Sequence, residues 1–260
     1  MIWDILFDRF FLFLLFFCRI IGVFSFNPIF SRKNAPPMAW IGLSGAIALI
    51  MTSATEPPPG LIPEALLPTI LLFLKEGSIG FVLGFMVQMF MSMLAVAGEA
   101  IDMQIGLGMA KIMDPSTGVQ SSLYASGYTY LFILYFFAIN GHLTFLELFR
   151  STYDVLPLTG WTINLNAGYA IASFFSAVLI FAVKFAMPVL SAQLLVEVGM
   201  GLLMKAVPNI QVLVVNIQVK LISGMLMMFL LAGPMAEFLD RYLGLMFENL
   251  FSIIPLLGGG

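Results

Sequence analysis

The chain has 260 residues, of which 61% are hydrophobic and only 10% are charged, and its formal net charge is −3. A soluble domain carries about 25% charged residues and needs polar cover for its surface, so this composition indicates an integral membrane protein with lipid as a partner. Nucleic-acid binding draws on clustered Lys and Arg, so the weakly acidic balance argues against a nucleic-acid partner.

Six apolar segments follow one another along the chain as candidate transmembrane helices, each of which needs roughly 20 mostly apolar residues. In chain order they cover residues 5–26, 38–52, 66–97, 123–139, 167–198 and 210–231. An amphipathic tail at residues 235–254 follows them. No internal repeat or soluble domain is visible, so the sequence predicts one all-α membrane domain over residues 1–260.

Two of the segments are longer than one span requires. At a rise of about 1.5 Å per residue, residues 66–97 and 167–198 must tilt, bend or project beyond the lipid. Each segment could instead be a helical hairpin or a broken helix, and Pro188 would kink the second of them. Gly80 and Gly84 form a GxxxG pair in the first, which predicts close contact with another helix.

Charged residues within or beside these segments are candidate contacts with other subunits or buried charges. Glu99 and Asp102 are three residues apart and share one helix face. Lys184 and Glu197 interrupt residues 167–198, and Lys205 lies just beyond them. A charge in an apolar membrane segment is costly, so it faces protein or water. For each charge alone, a buried ion pair or a position at the membrane interface is a sufficient explanation. The number of such charges favours contacts with other subunits or a water-filled pathway.

The sequence offers no grouping of residues that would support catalysis. It has one cysteine, Cys18, and one histidine, His142, which lies in an Asn140-Gly141-His142 stretch that predicts a turn after the fourth segment. Without a nucleophile–base pair or a set of metal ligands, we expect no catalytic, cofactor or metal site and no enzyme. A secondary transporter would show two similar halves, and none are visible.

The connector between the third and fourth segments has an unusual composition. It combines glycines, flexible apolar side chains and a turn signal, at Gly106, Gly108, Met109, Ile112, Met113, Asp114 and Pro115. An apolar loop with free backbone rotation is poorly suited to water, so we expect it to be buried in protein or to fill a cavity. An ordinary re-entrant loop at the membrane interface is the alternative.

Short motifs along nearly the whole chain resemble one known family. They are Ala97-Gly98-Glu99, Gln104-x-Gly106-Leu107-x-Met109-Ala110, Asp114-Pro115, Asn140-Gly141-His142, Leu156-Pro157, Gly201-Leu202-Leu203 and Ala206-Val207-Pro208-Asn209. In order and spacing these resemble the FliR family of flagellar biosynthesis proteins and its counterpart, the T component of virulence type III secretion systems.

This resemblance implies a multi-pass subunit of the type III export gate, in the bacterial inner membrane at the flagellar basal body. FliR-like proteins assemble there with FliP-like and FliQ-like subunits, and we expect an FlhB-like subunit as a further partner. Unfolded flagellar proteins pass through the pore. The implied fold is a FliP-like hairpin unit joined to a FliQ-like unit, with no cofactor. A virulence T component is the alternative, and a secondary transporter is a more distant one.

The resemblance also implies that residues 105–121 form a plug that helps to close the pore. Met109, Ile112 and Met113 would be its apolar stoppers, and Gly106 and Gly108 its hinges. The other plug residues would be Ile105, Leu107, Asp114 and Pro115.

Overall fold

A computed structural model describes residues 2–29, 36–63, 65–107, 122–158, 164, 167–207 and 212–258. The regular secondary structure of this part of the chain is α-helical, which confirms the predicted all-α membrane class. In chain order the helices are α1 (Ile2–Ser25), α2 (Pro37–Ala54), α3 (Leu66–Ile105), α4 (Leu123–Ala138), α5 (Gly141–Val155), α6 (Ala167–Ala206), α7 (Val212–Leu230) and α8 (Ala232–Leu257).

The two long segments are continuous helices. Both α3 and α6 run for 40 residues without a break, and Pro188 lies inside α6. A hairpin or a broken helix, the alternatives that the sequence left open for these segments, is therefore wrong. Both helices extend about two turns beyond the predicted apolar segments. In α3 the added residues include the polar Glu99, Asp102 and Gln104, and in α6 they include two glycines and Lys205.

Helix α5 was not predicted from the sequence. The Asn140-Gly141 turn was expected to end the fourth segment, and it does end α4, but a second helix begins at once. Asn140 has a φ of 59°, a left-handed conformation that asparagine tolerates better than most residues. The 15 residues that follow alternate apolar and polar positions at helical spacing, a weaker signal than a continuous apolar run.

Three helices in the described ranges, α2, α3 and α6, are long and apolar enough to cross a membrane. The pairs α4–α5 and α7–α8 are each separated by a short break, and they raise the number of candidate spans to five if each pair is one broken span. Helix α1 was predicted as a span but is not among the three. Charged residues at Asp8, Arg9 and Arg19 interrupt its apolar run.

The chain divides into two compact units. The first comprises residues 1–90, 140–174 and 246–260, and the second comprises residues 91–139 and 175–245. Helices α3, α6 and α8 contribute residues to both units. The assignment of residues 1–260 to a single domain, and the likeness of its parts to FliP-like and FliQ-like units, remain predictions.

In the first unit, glycines allow α1 to pack directly on α3. A Cβ atom added to Gly80 would fall on the carbonyl oxygen of Arg19 and lie 3.1 Å from the Cα of Gly22. One turn later, a Cβ atom on Gly84 would lie 2.5 Å from the carbonyl oxygen of Val23. These contacts confirm the close helix packing that the GxxxG pair predicted.

In the second unit, α4 packs equally closely on the C-terminal half of α3, because a Cβ atom on Gly98 would fall on the backbone of Ala125. Aromatic rings fill the space between α4, α6 and α8. The Phe185 ring centroid lies 4.7 Å from that of Tyr128 and 4.6 Å from that of Phe238. These rings form a core for the second unit.

We predict that Gly80→Ala destabilises the protein and that Gly77→Ala, one turn earlier in the same helix, does not. A Cβ atom at Gly77 would meet only the Sγ of Cys18, at an ordinary contact distance of 3.5 Å, whereas one at Gly80 would meet backbone. Overpacking of this kind costs about 1–3 kcal/mol. The thermal unfolding midpoints of the two variants, purified in detergent with any partners bound, measure the difference. Equal midpoints would contradict the close contact.

Candidate functional site

The C-terminal end of α3, in the second unit, is closed by a glycine cap. Gly106 has a φ of +98°, and its N–H lies 3.2 Å from the carbonyl oxygens of both Asp102 and Met103. A left-handed glycine that donates back to the last turn is a common way to end a helix. A residue with a side chain would be strained here, so Gly106 defines where α3 stops.

The two ends of the connector between α3 and α4 are held together by Asp102. This side chain is buried, and its Oδ2 accepts a hydrogen bond from the backbone N–H of Tyr124 at 3.1 Å. At the start of α4, the Oγ of Ser122 accepts from the N–H of Ala125 at 3.2 Å, as an N-cap residue does. The connector therefore leaves and returns to the helices at nearly the same place.

A second anchor for the end of α3 is apolar. Ile105 is 1% exposed and packs on Gly224 of α7, where an added Cβ atom would lie 2.6 Å from the Cδ1 of Ile105. The same Cβ atom would lie 3.2 Å from the Oη of Tyr124. Because Gly224 has no side chain, the last residue of α3 can pack directly on α7.

A third anchor is polar and centres on Glu197 of α6. Its Oε1 lies 3.1 Å from the Nζ of Lys220, and its Oε2 accepts from the Nε2 of Gln104 at 3.2 Å. The Lys220 side chain is only 12% exposed, whereas that of Glu197 is 51% exposed. A largely buried ammonium needs a counter-charge, so Lys220 fixes the Glu197 carboxylate and leaves its second oxygen for Gln104. One carboxylate thus links α3, α6 and α7.

Part of the predicted plug can be placed. Ile105, Gly106 and Leu107 belong to the end of α3 and the residues just after it. The other six predicted plug residues lie outside the described residues, namely Gly108, Met109, Ile112, Met113, Asp114 and Pro115.

The five predicted charges divide by exposure. Asp102 is buried, and the other four are exposed, namely Glu99, Lys184, Glu197 and Lys205. Glu99 and Asp102 were expected to share one helix face; Asp102 is buried and contacts α4, whereas Glu99 is exposed. Contacts of the exposed four with other subunits stay a prediction.

The sequence did not single out Arg19 and Glu76 of the first unit as site residues, although they are the most deeply buried charges among the described residues. Both side chains are 0% exposed. The Nε of Arg19 donates to the Oε2 of Glu76 at 2.7 Å, and its Nη2 donates to the Oε1 at 3.0 Å, so the pair is bidentate. The two residues are 57 positions apart. Their opposite charges in apolar segments were visible in the sequence, but nothing local showed that they face each other.

The remaining donors of Arg19 are satisfied by the end of α5. Its Nη1 donates to the carbonyl oxygen and to the Oγ1 of Thr152, both at 3.1 Å, and its Nη2 donates to the carbonyl oxygen of Leu156 at 3.0 Å. The Tyr153 ring covers the guanidinium, with its centroid 4.0 Å away. All five N–H groups are therefore used, and one side chain ties α1, α3 and α5 together.

The polar groups described above hold helices together. Within the described ranges, no group of three or more His, Cys, Asp or Glu side chains is placed to hold a metal ion.

We predict that breaking the buried pair on one side destabilises the protein more than replacing both partners. Arg19→Met or Glu76→Leu alone leaves an unpaired buried charge, which costs about 3–5 kcal/mol, whereas the double variant leaves none. Thermal unfolding of the purified protein, with its partners bound, gives the coupling energy from the four variants of the cycle. Single-variant losses that simply add in the double variant would contradict the coupling.

Comparison with known proteins identifies relatives over nearly the whole chain. Residues 10–246 match the family described as bacterial export proteins, family 1. The flagellar biosynthetic protein FliR of Bacillus subtilis (strain 168) is 29% identical, over 96% of this chain and 97% of that protein. The FliR of Escherichia coli (strain K12) is 28% identical, over 92% and 91%. The Yop proteins translocation protein T of Yersinia pestis is 24% identical, over 92% of each.

Proposed function

Because the chain belongs to the bacterial export proteins, family 1, we propose that it is a non-enzymatic subunit of the flagellar type III export gate. In this role it sits in the bacterial inner membrane, within the flagellar basal body, and lines the pore through which unfolded flagellar proteins leave the cell. The likeness in sequence extends over almost the full length of the relatives, which supports a role for the whole chain. The three to five candidate spans in the described part of the chain fit a multi-pass subunit.

The flagellar role is proposed over a virulence one on the strength of sequence similarity. The two FliR proteins are 29% and 28% identical to this chain, and the virulence T protein is 24% identical. A virulence T component remains the alternative. It would have the same role in an export gate, but the exported proteins would be different.

Partners are proposed from the exposed charges and apolar faces. Glu99, Lys184 and Lys205 are exposed on helices that are otherwise apolar, where contact with hydrocarbon would cost several kcal/mol per charge. Only 17% of the span window of α2 and 22% of that of α6 are buried within the chain. Contacts with FliP-like, FliQ-like and FlhB-like subunits would cover both the charges and the apolar surface.

A plug at residues 105–121 is proposed from the anchors at the base of the connector. Asp102, Gly106 and Ile105 fix where the connector begins, and the Asp102–Tyr124 hydrogen bond fixes where it ends. A connector that seals a pore needs such fixed ends so that its apolar residues return to the same place. Met109, Ile112 and Met113 supply soft apolar bulk that repacks at low cost around a passing chain.

We predict that deleting residues 106–116 makes the membrane permeable to ions while the complex still assembles. The two ends of the connector already meet, so the shortened connector can span the gap without moving α3 or α4. Co-purification with FliP-like and FliQ-like subunits checks assembly, and the conductance of the complex in a planar bilayer checks sealing. An assembled deletion variant with wild-type conductance would rule out the plug.

We predict that Glu99→Ala lowers the yield of the assembled complex, whereas Glu237→Ala does not. Both carboxylates are exposed, but Glu237 already faces Arg241 on its own helix, at 4.0 Å. Loss of a charge pair across a subunit interface costs about 2–5 kcal/mol when the pair is buried by the partner. Co-purified FliP-like subunit per mole of this chain is the readout.

If both variants co-purify equal amounts of the FliP-like subunit, Glu99 does not contribute to the subunit interface. A separate result would favour a secondary transporter instead of an export gate, namely a stable monomer that binds a solute without any partner.

A further inference from the structure

In the second unit, α3 and α4 are joined tightly at the end that carries the connector. A Cβ atom added to Gly98 would fall on the Cα of Ala125, so the two backbones touch. The buried Asp102 carboxylate also accepts from the backbone N–H of Tyr124 at 3.1 Å. Direct backbone contact leaves no flexible side chain between the helices, so the ends of α3 and α4 move as one pair.

Helices α6 and α7 form a second tight pair in the same unit. Gln193 of α6 is 0% exposed, and its Nε2 donates to the carbonyl oxygen of Lys220 at 3.2 Å and to the Oγ of Ser223 at 3.1 Å. One turn further along α6, the Glu197 carboxylate pairs with the Lys220 ammonium at 3.1 Å. A buried amide is costly to leave without partners, so α6 and α7 also stay together.

Two weaker contacts join these pairs at the connector end, and we call them the seam. One is the hydrogen bond from Gln104 to Glu197, at 3.2 Å, whose acceptor is 51% exposed. The other is the contact of Ile105 and Tyr124 with Gly224, which has no side chain to interlock with them. An exposed hydrogen bond exchanges readily for one to water, so the two pairs separate most easily at the seam.

A cavity of about 530 Å³ between α4, α7 and α8 lies next to the seam. Tyr128 lines it one turn after Tyr124, and Met225 and Met228 line it just after Gly224. The side chains of the described residues leave this space open, and methionine side chains repack at low cost. Helix α4 therefore has room to shift against α7 once the contact at Gly224 is released.

Beyond the cavity, aromatic rings hold the two pairs together. The Phe185 ring of α6 lies 4.7 Å from that of Tyr128 on α4 and 4.6 Å from that of Phe238 on α8. Aromatic contacts bury large areas and are harder to separate than the seam. A motion that opens the seam therefore turns about these rings.

We propose that the seam is the part of this chain that opens when the pore opens, an inference that rests on the proposed export function. Gln104 leaves Glu197 and the α3–α4 pair leaves Gly224, while that pair turns about the Phe185 ring. Both ends of the connector belong to the α3–α4 pair, so the turn carries the connector with it. Lys220 keeps the Glu197 carboxylate in place, so the hydrogen bond to Gln104 forms again when the seam closes.

A wedge at Gly224 tests the seam without removing a polar group. A Cβ atom there would lie 2.6 Å from the Cδ1 of Ile105, and overpacking of this kind shifts a two-state equilibrium about 5- to 150-fold. We therefore expect Gly224→Ala to raise the ion conductance of the assembled complex in a planar bilayer. Ile105→Val removes the Cδ1 atom, so adding it should return the conductance towards wild type. Gly199→Ala, whose Cβ atom would meet nothing within 4 Å, is the matched control.

A covalent lock tests the motion itself. The Cγ1 of Ile105 would lie 3.0 Å from a Cβ atom on Gly224, so the two Cβ atoms are within about 4.5 Å, and disulfides join Cβ atoms about 3.5–4.5 Å apart. We expect oxidation of Ile105→Cys with Gly224→Cys, in a Cys18→Ala background, to lower export of flagellar proteins at least about tenfold, because the gating motion is blocked. Reduction should restore export. Each single cysteine variant should show no change on oxidation.

Equal export before and after oxidation, with the disulfide verified by mass spectrometry, overturns the proposal. A wild-type conductance of Gly224→Ala, or a leak that Ile105→Val does not reverse, overturns it as well. If the double cysteine variant does not assemble, the conductance series decides alone. Failure of the proposed function has a different signature, because a strain without this chain would then export flagellar proteins normally.

Discussion

The buried pair of Arg19 and Glu76 is the constraint on which the first unit depends. A charge in an apolar interior is tolerable only when every donor is used, and Arg19 uses all five on Glu76, Thr152 and Leu156. Those partners lie on α3 and at the end of α5, so three helices can meet only in one register. The glycine contacts of Gly80 and Gly84 with α1 require that same register, because they meet α1 at Arg19 and one turn later at Val23.

The second unit is fixed in a different way. Three contacts hold the end of α3: the buried carboxylate of Asp102, the apolar side chain of Ile105 and the half-exposed carboxylate of Glu197. An exposed hydrogen bond contributes about 0.5–1.5 kcal/mol, less than a buried charge pair costs when it is broken. The second unit, which carries the proposed plug, is therefore held by several contacts of different strength. In the first unit, one buried ion pair with all its hydrogen bonds made has the corresponding role.

Much of the helical framework followed from hydropathy, because apolar runs near 20 residues are a strong signal. Hydropathy did not predict α5, because its apolar residues are spaced along one face and do not form a continuous run. It also ended α3 too early, because polar residues such as Asp102 and Gln104 continue that helix. The GxxxG pair at Gly80 and Gly84 correctly indicated close packing. The partnership of Arg19 with Glu76 could not be predicted, because it depends on how distant segments meet. Asp102 was selected for its charge, and only the structure showed that it binds the backbone of Tyr124.

The hydrogen bond between Asp102 and the N–H of Tyr124 has a consequence for the evolution of the connector. A segment whose ends are already joined has a closure entropy that grows only with the logarithm of its length, at about 0.6 kcal/mol for each doubling. Insertions, deletions and exchanges between the two ends therefore leave the helices almost untouched. The length and chemistry of this connector can therefore change during evolution while the helices that carry it stay constant.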